Sequence, residues 1–231
     1  MRKASFFAAV ALAIGVTAVL AAEFWQNTPY TDWSDKDVSK MLTDSPWARG
    51  VPLDMSAMRG NSGGGGGGMG GGGGRGGGGG GRGGGGGGMQ QRSIIIRWVS
   101  AMPMKQALIK TKYGDKAGSD EAKKMLEMPD TQYVVTLIGI PGQLARNDPD
   151  KVKDQLKSAT TLNRKGKDAI VPDTVEMHPQ NGQLAVIIRF PRANPITMDD
   201  KEVEFSTKLG SLVIKRKFKL SEMEFNGKLE L

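Results

Sequence analysis

Apolar positions along this chain follow three patterns, and each predicts a different kind of element. The first is continuous. Ala4 to Ala22 is apolar and uncharged behind Arg2 and Lys3, the arrangement of a secretory signal with a basic start and a soft hydrophobic centre. Val19-Leu20-Ala21 or Leu20-Ala21-Ala22 suits signal peptidase, so residues 1–21 read as a signal peptide and the mature chain is expected to begin at Ala22 or Glu23. Retained instead, the stretch would approach the roughly 20 residues that span a bilayer. No later stretch is long and apolar enough to do so.

The second pattern has helical spacing. Val38, Met41 and Leu42 fall at i, i+3 and i+4 behind Ser34 and Asp37, a capping-box start in which the Ser oxygen meets an orphan backbone N–H. Pro46 ends that helix. Pro103 opens a second helix, with Met104, Ala107, Leu108 and Thr111 on one face and Gly114 at its end. Ser119, Asp120 and Glu121 begin a third, which stops before Pro129. Asp148-Pro149-Asp150 begins a fourth, with Val152, Leu156 and Ala159 on one face, expected to run to about Asn163.

The third pattern is that of strands. Ile94 to Val99 is β-branched and aromatic, and Tyr133 to Ile140 is apolar almost throughout, which places it centrally in a sheet. Two hairpins follow. Asn181-Gly182 is a two-residue turn signal that sets Val175 opposite Ile188, Met177 opposite Val186 and His178 opposite Ala185. Gly210-Ser211 fits a type II′ turn and sets Leu209 against Leu212, Thr207 against Ile214 and Val203 against Phe218. The other face of that hairpin pairs Glu204 with Lys217 and Glu202 with Lys219, so two charges of the basic run Lys215–Lys219 are expected to be balanced. Arg216 interrupts the apolar face opposite Phe205, and either lies past that ring or marks the sheet edge. The fold class expected is α+β: a mixed or mostly antiparallel sheet of about six strands, two C-terminal hairpins and two or three helices, preceded by a short helical arm.

Composition divides the chain further. Of its 34 glycines, 24 lie between Gly60 and Gly88, a low-complexity tract that cannot bury a core and reads as a disordered tether. The organisation is then a signal peptide at 1–21, a Trp-rich arm at 22–59, the Gly-rich linker at 60–88 and an α+β domain at 89–231. Gly60-Asn-Ser-Gly-Gly64 matches a nucleophile-elbow pattern and G-x-G-x-x-G recurs, but neither has the flanking strand and helix its chemistry needs. The arm contains Trp25, Trp33 and Trp47, and its helix is too short to persist alone. It is expected to dock, on the same molecule before any other.

The absence of Cys excludes disulfides, thiolate metal sites and cysteine nucleophiles, and a single His excludes a multi-histidine metal site within one chain. No catalytic, cofactor-binding or metal-ligating residue is assigned. The formal charge of +8, less the two cations Arg2 and Lys3, leaves +6 on the mature chain. That favours an acidic partner; for an exported chain, an acidic envelope polymer or an envelope protein ranks above nucleic acid.

Trp33 to Ala48 (WSDKDVSKMLTDSPWA), with Ile94 to Leu108 and Asp200 to Gly210, resembles a family of exported bacterial proteins of uncharacterised function. Their mature N-terminus has the W-[ST]-D-K-D-V and D-S-P-W-A pieces, followed by a spacer and an α+β region. The resemblance implies export, periplasmic or secreted, and no particular activity. The reading is of a non-enzymatic binding or structural module at the cell envelope. Two alternatives stand beside it: an envelope hydrolase using carboxylates near Asp199 to Glu204, and a polyanion binder using the basic C-terminal strand. Candidate binding residues are Trp33, Trp47, Arg97, Arg189, Arg192 and Arg216.

Overall fold

Three segments of the chain, residues 23–53, 93–145 and 148–231, are described by the computed structural model; the targeting segment and the Gly tract lie outside them. Ser34 caps a helix as its spacing dictates. Its Oγ accepts from the Asp37 N–H at 3.2 Å, and the Asp37 carboxylate accepts from the Ser34 N–H at 3.0 Å. Hydrogen bonds from Ser34 hold the Asp37 carboxyl below its usual range, and a cap of this kind contributes about 1 kcal/mol. The arm comprises α1 (Phe24–Asn27), α2 (Asp35–Thr43) and β1 (Ala48–Pro52). Met41 is fully buried and Val38 nearly so, while Leu42 is half-buried.

The arm docks on its own chain. β1 pairs antiparallel with β2 (Ser93–Trp98), from Ala48 opposite Arg97 to Pro52 opposite Ser93. Trp25, Trp33 and Trp47 are all buried in the same core as the later strands. Phe24 meets Trp25 and Trp33 edge-on at 5.0 and 5.2 Å, and Trp25 meets Trp47 edge-on at 5.9 Å, the geometry that aromatic quadrupoles favour.

Beyond β2 run α3 (Met102–Tyr113), α4 (Asp120–Glu127), β3 (Gln132–Pro141), α5 (Pro149–Ala159) and β4 (Thr161–Asn163). Then come β5 (Thr174–Gln180), β6 (Gln183–Pro191), β7 (Glu202–Leu209) and β8 (Leu212–Lys219). The small β9 (Glu224–Phe225) and β10 (Lys228–Leu229) close the order. All pairings are antiparallel: a five-stranded sheet β1-β2-β3-β6-β5, a three-stranded sheet β4-β7-β8, and the β9–β10 ribbon. The fold is α+β, and β3 is central as its apolar run requires. Gly139, at φ 95°, sits at the bulge where the β3–β6 register shifts. A Cβ there would lie 2.9 Å from the Ser93 carbonyl, so only glycine fits.

Both hairpin registers agree residue for residue with the turn signals. Four features differ from expectation. The described strands number ten rather than about six, because the arm supplies β1 and short strands form at β4, β9 and β10. The fourth expected helix stops at Ala159 rather than near Asn163: Thr160 and Thr161 are β-branched, and Thr161–Asn163 pairs with Ser206–Glu204. A third hairpin turns at Asn226-Gly227, with φ 50° and 72°. Finally, Glu202 reaches the diagonal Lys217 at 2.6 Å, not Lys219 directly across, and Lys219 pairs with Glu222 at 3.3 Å. Diagonal neighbours across a ladder lie within reach of long side chains.

The two larger sheets share one core. Trp98 on β2 packs edge-on against Phe218 on β8 at 5.8 Å and against Tyr133 on β3 at 6.0 Å. Val203, Phe205, Ile214 and Phe218 form the buried face of the smaller sheet, and Leu156 of α5 is buried in the same cluster. Thr160 after α5 and Thr207 on β7 are hydrogen-bonded at 2.7 Å, both fully enclosed.

Candidate anion-binding site

Five of the six candidate residues have structural partners. Trp33 donates its indole N–H to the Thr28 carbonyl at 2.9 Å, and Trp47 donates to the Glu230 carbonyl at 2.8 Å. Both are buried, so neither ring is presented to a ligand. Arg97 donates to the Leu42 carbonyl at 2.6 Å, tying β2 to the end of α2, and burial lowers its proton affinity. Arg189 is ion-paired with Glu176 across the β5–β6 ladder. Arg192 donates to the Leu231 carbonyl at 2.6 Å and stacks over Tyr133 at 4.4 Å, so it too is engaged, though on the rim of the fold. Arg216 alone is exposed, and among the described residues it has no ion-pair partner. It sits on β8, which marks the edge of its sheet.

The topology gathers a larger group of cations at the start of β7. The loop after β4 reads Arg164-Lys165-Gly166-Lys167-Asp168, and it meets the single 3-10 turn Met198–Asp200 before β7. Asp200 is the hinge of this arrangement. Its carboxylate caps the turn by accepting from the Thr197 N–H at 3.0 Å. Lys167 Nζ lies 2.6 Å from one carboxylate oxygen, and Arg164 lies 3.8 Å from the other. Burial opposes ionisation of Asp200, but the Lys167 ammonium, the Thr197 N–H and the positive charge of Arg164 together outweigh it and hold the carboxyl below its usual range. Arg164 is itself buried, donating to the carbonyls of Asn194 and Pro195 at 3.2 Å.

On the solvent side of Asp200 lies a cavity of about 510 Å³ lined by Lys165, Met198, Asp200, Lys201, Glu202, Lys219 and Ser221. Both of its carboxylates are already held, Asp200 by Lys167 and Arg164, Glu202 by Lys217. Lys165 and Lys201 have no ion-pair partner among the described residues. What the cavity offers a ligand is therefore uncompensated positive charge with an apolar wall at Met198.

Lys201 is held in an uncommon backbone conformation, φ 61° and ψ −47°. Its N–H bonds to the Met198 carbonyl at 3.1 Å, and its carbonyl accepts from Leu220 at 2.9 Å, which fixes the strained geometry from both sides. Positive φ in a non-glycine residue with a long side chain costs about 1 kcal/mol or more. Glycine would relieve it. A lysine here places a cation in the cavity at the expense of stability.

Asp200 does not have the electrostatics of a glycosidic general acid. A glycosidic general acid needs a carboxyl whose proton affinity is raised, and that of Asp200 moves the other way. His178 lies on another sheet, exposed on β5 with its ring 3.5 Å from Glu176. Among the described residues no group of three or more His, Asp and Glu is placed to hold a metal ion. The sequence reading reached Arg216 and the strand Lys215–Lys219 but missed Arg164, Lys165, Lys167 and Lys201, which only the topology joins to it. No protein-family model, no curated protein and no solved structure matches the chain.

Proposed function

We propose that the protein is an exported, non-enzymatic binding module that holds an acidic macromolecule at the cell envelope. Its contact surface is the Lys165–Lys201 cavity and the adjoining cationic face of β8. The observation that carries this reading is Lys201: a strained position occupied by an unpaired cation, in a cavity whose own carboxylates are neutralised from behind. Backbone strain of this kind tends to be retained where a side chain has a task. Lys215 extends the same charge along the exposed face of β8, and among the described residues it has no ion-pair partner.

Binding of polyglutamate to the intact chain tests the reading. Affinity should fall at least about tenfold between low salt and ~0.5 M salt, because exposed charges are screened over a few ångströms there. Lys201→Gly should bind more weakly than the wild type while folding about 1 kcal/mol more stably in a urea titration. Lys201→Ala, which keeps the strain, should lose the binding without the gain in stability. Binding unaffected by salt and by both substitutions would remove the site.

Export is part of the proposal and rests on the apolar stretch behind Arg2 and Lys3. Among the described residues no helix is long and apolar enough to cross a membrane. Intact mass of the protein recovered from its own cell should correspond to a chain beginning at Ala22 or Glu23. A mass that retains Met1 to Ala21 would make it membrane-anchored instead.

A further inference from the structure

Besides the two-residue strands of the β9–β10 ribbon, four described strands lie at sheet edges: β1, β5, β4 and β8. Three of them are poorer templates for a further strand. β1 ends in Pro52, and β5 contains Pro179, which removes a donor from its outer side. β4 has three residues, and Leu162 is already bridged to Ile170 through two backbone hydrogen bonds of 2.9 Å. β8 is different. It runs for eight residues without proline, and among the described residues no strand pairs with its outer side.

The two-residue turn at Gly210-Ser211 fixes which groups that edge presents. Leu209 and Leu212 flank the turn and form the first hydrogen-bonded pair, so the pairs alternate from there. Leu212, Ile214, Arg216 and Phe218 direct their N–H and C=O groups to β7. Val213, Lys215, Lys217 and Lys219 direct theirs away from it. The side chains of those four share one face, and all are exposed. Free backbone donors and acceptors and a row of lysines are thus presented by the same alternate residues.

We infer that the acidic partner of this protein is an extended peptide with Asp or Glu at alternate positions, which adds to β8 as an antiparallel fourth strand of the all-antiparallel β4-β7-β8 sheet. The inference rests on the anion-binding reading above and deepens it. A polysaccharide or nucleic acid could answer the lysines but not the backbone groups, whereas a peptide strand answers both. A second copy of β8 is disfavoured, because it would set lysine against lysine across the ladder. Residues 54–92 of the same chain are no better suited, since they hold Arg59, Arg75, Arg82 and Arg92 against a single acid, Asp54. An acidic strand would place one carboxylate beside the unpaired Lys215 and others beside Lys217 and Lys219, in exchange for their exposed contacts with Glu202 and Glu222, because residues opposed in a ladder share a face.

Two peptides alternating Glu and Thr separate backbone pairing from charge, when added to the intact chain. In one the Glu nitrogens are methylated; in the other, the Thr nitrogens. The edge that presents Glu to the lysines uses the Glu N–H groups, so Glu methylation should weaken binding at least about tenfold relative to the unmodified peptide, and Thr methylation should change it little. Amide exchange at Val213, Lys215, Lys217 and Lys219 should slow on addition of the unmodified peptide. Equal binding of all three peptides, or slowed exchange elsewhere and not on β8, would overturn the added strand. If a sulfated polysaccharide binds with the expected salt dependence and no peptide does, the strand inference falls while the anion-binding site stands. If none of these binds, the site itself falls and the inference falls with it.

Discussion

Trp47→Ala is expected to cost about 3–5 kcal/mol of folding stability, the range for deleting a fully buried Trp side chain. Trp47 is completely enclosed, packs edge-on against Trp25, and donates its indole N–H to the Glu230 carbonyl. The substitution would leave both a cavity and an unanswered carbonyl, at the point where the N-terminal arm meets the last residues of the chain. A domain of ordinary stability holds about 5–15 kcal/mol in all, so a large part of the margin would go. Urea unfolding followed by tryptophan fluorescence measures it. A loss below about 1 kcal/mol would mean that the arm is not part of the cooperative unit.

The second large effect is expected at Asp200. Asp200→Ala removes the cap of the 3-10 turn and leaves the buried Arg164 without its carboxylate, and breaking a buried pair from one side costs about 3 kcal/mol or more. Asp200→Asn keeps a hydrogen-bond acceptor and should cost less. The same contacts set a pH dependence. Because the folded protein holds the Asp200 carboxyl below its unfolded value, the associated stability is fully present above an unfolded value of about 3.9 and is lost as pH falls through the lower folded value. Acid titration of the wild type should therefore show a stability loss below about pH 4 that is reduced in Asp200→Asn. Identical acid profiles would remove Asp200 from the account.

Much of this fold was legible in the sequence because its signals are local. The Asn181-Gly182 and Gly210-Ser211 turns fix two registers without ambiguity, since a slip of one residue would turn every apolar side chain outward. The Ser34–Asp37 cap is complete within four residues of sequence. Asn226-Gly227 is equally local, but its flanking strands are only two residues long and show no alternation. β1 could not be read in this way. Ala48-Arg-Gly-Val-Pro52 has no apolar alternation, and its strand conformation comes from pairing with β2 across the Gly tract.

The site was less legible than the fold for a physical reason. Asp199 to Glu204 reads in sequence as a run of acids, and the Lys215–Lys219 run reads as a strand half balanced by them. The structure adds the loop Arg164 to Lys167, more than 30 residues away, which neutralises Asp200 from behind and reverses the sign of the cavity. Positive φ at Lys201 has no sequence signature at all. Conversely, the tryptophans stood out in the sequence as candidate contacts, and burial accounts for them.

The central claim is that a particular cluster of cations, and not the excess positive charge of the whole chain, binds an acidic macromolecule. Two triple variants with the same net charge separate the possibilities. One replaces Lys165, Lys201 and Lys215 by Ala; the other replaces Lys36, Lys116 and Lys124, which are exposed on α2, the turn after α3, and α4. Polyglutamate binding at ~0.15 M salt, where the Debye length is about 8 Å, should fall at least about tenfold in the first variant and about twofold or less in the second, since exposed charges farther than a Debye length act weakly. An equal loss in both would contradict the claim and leave only net charge.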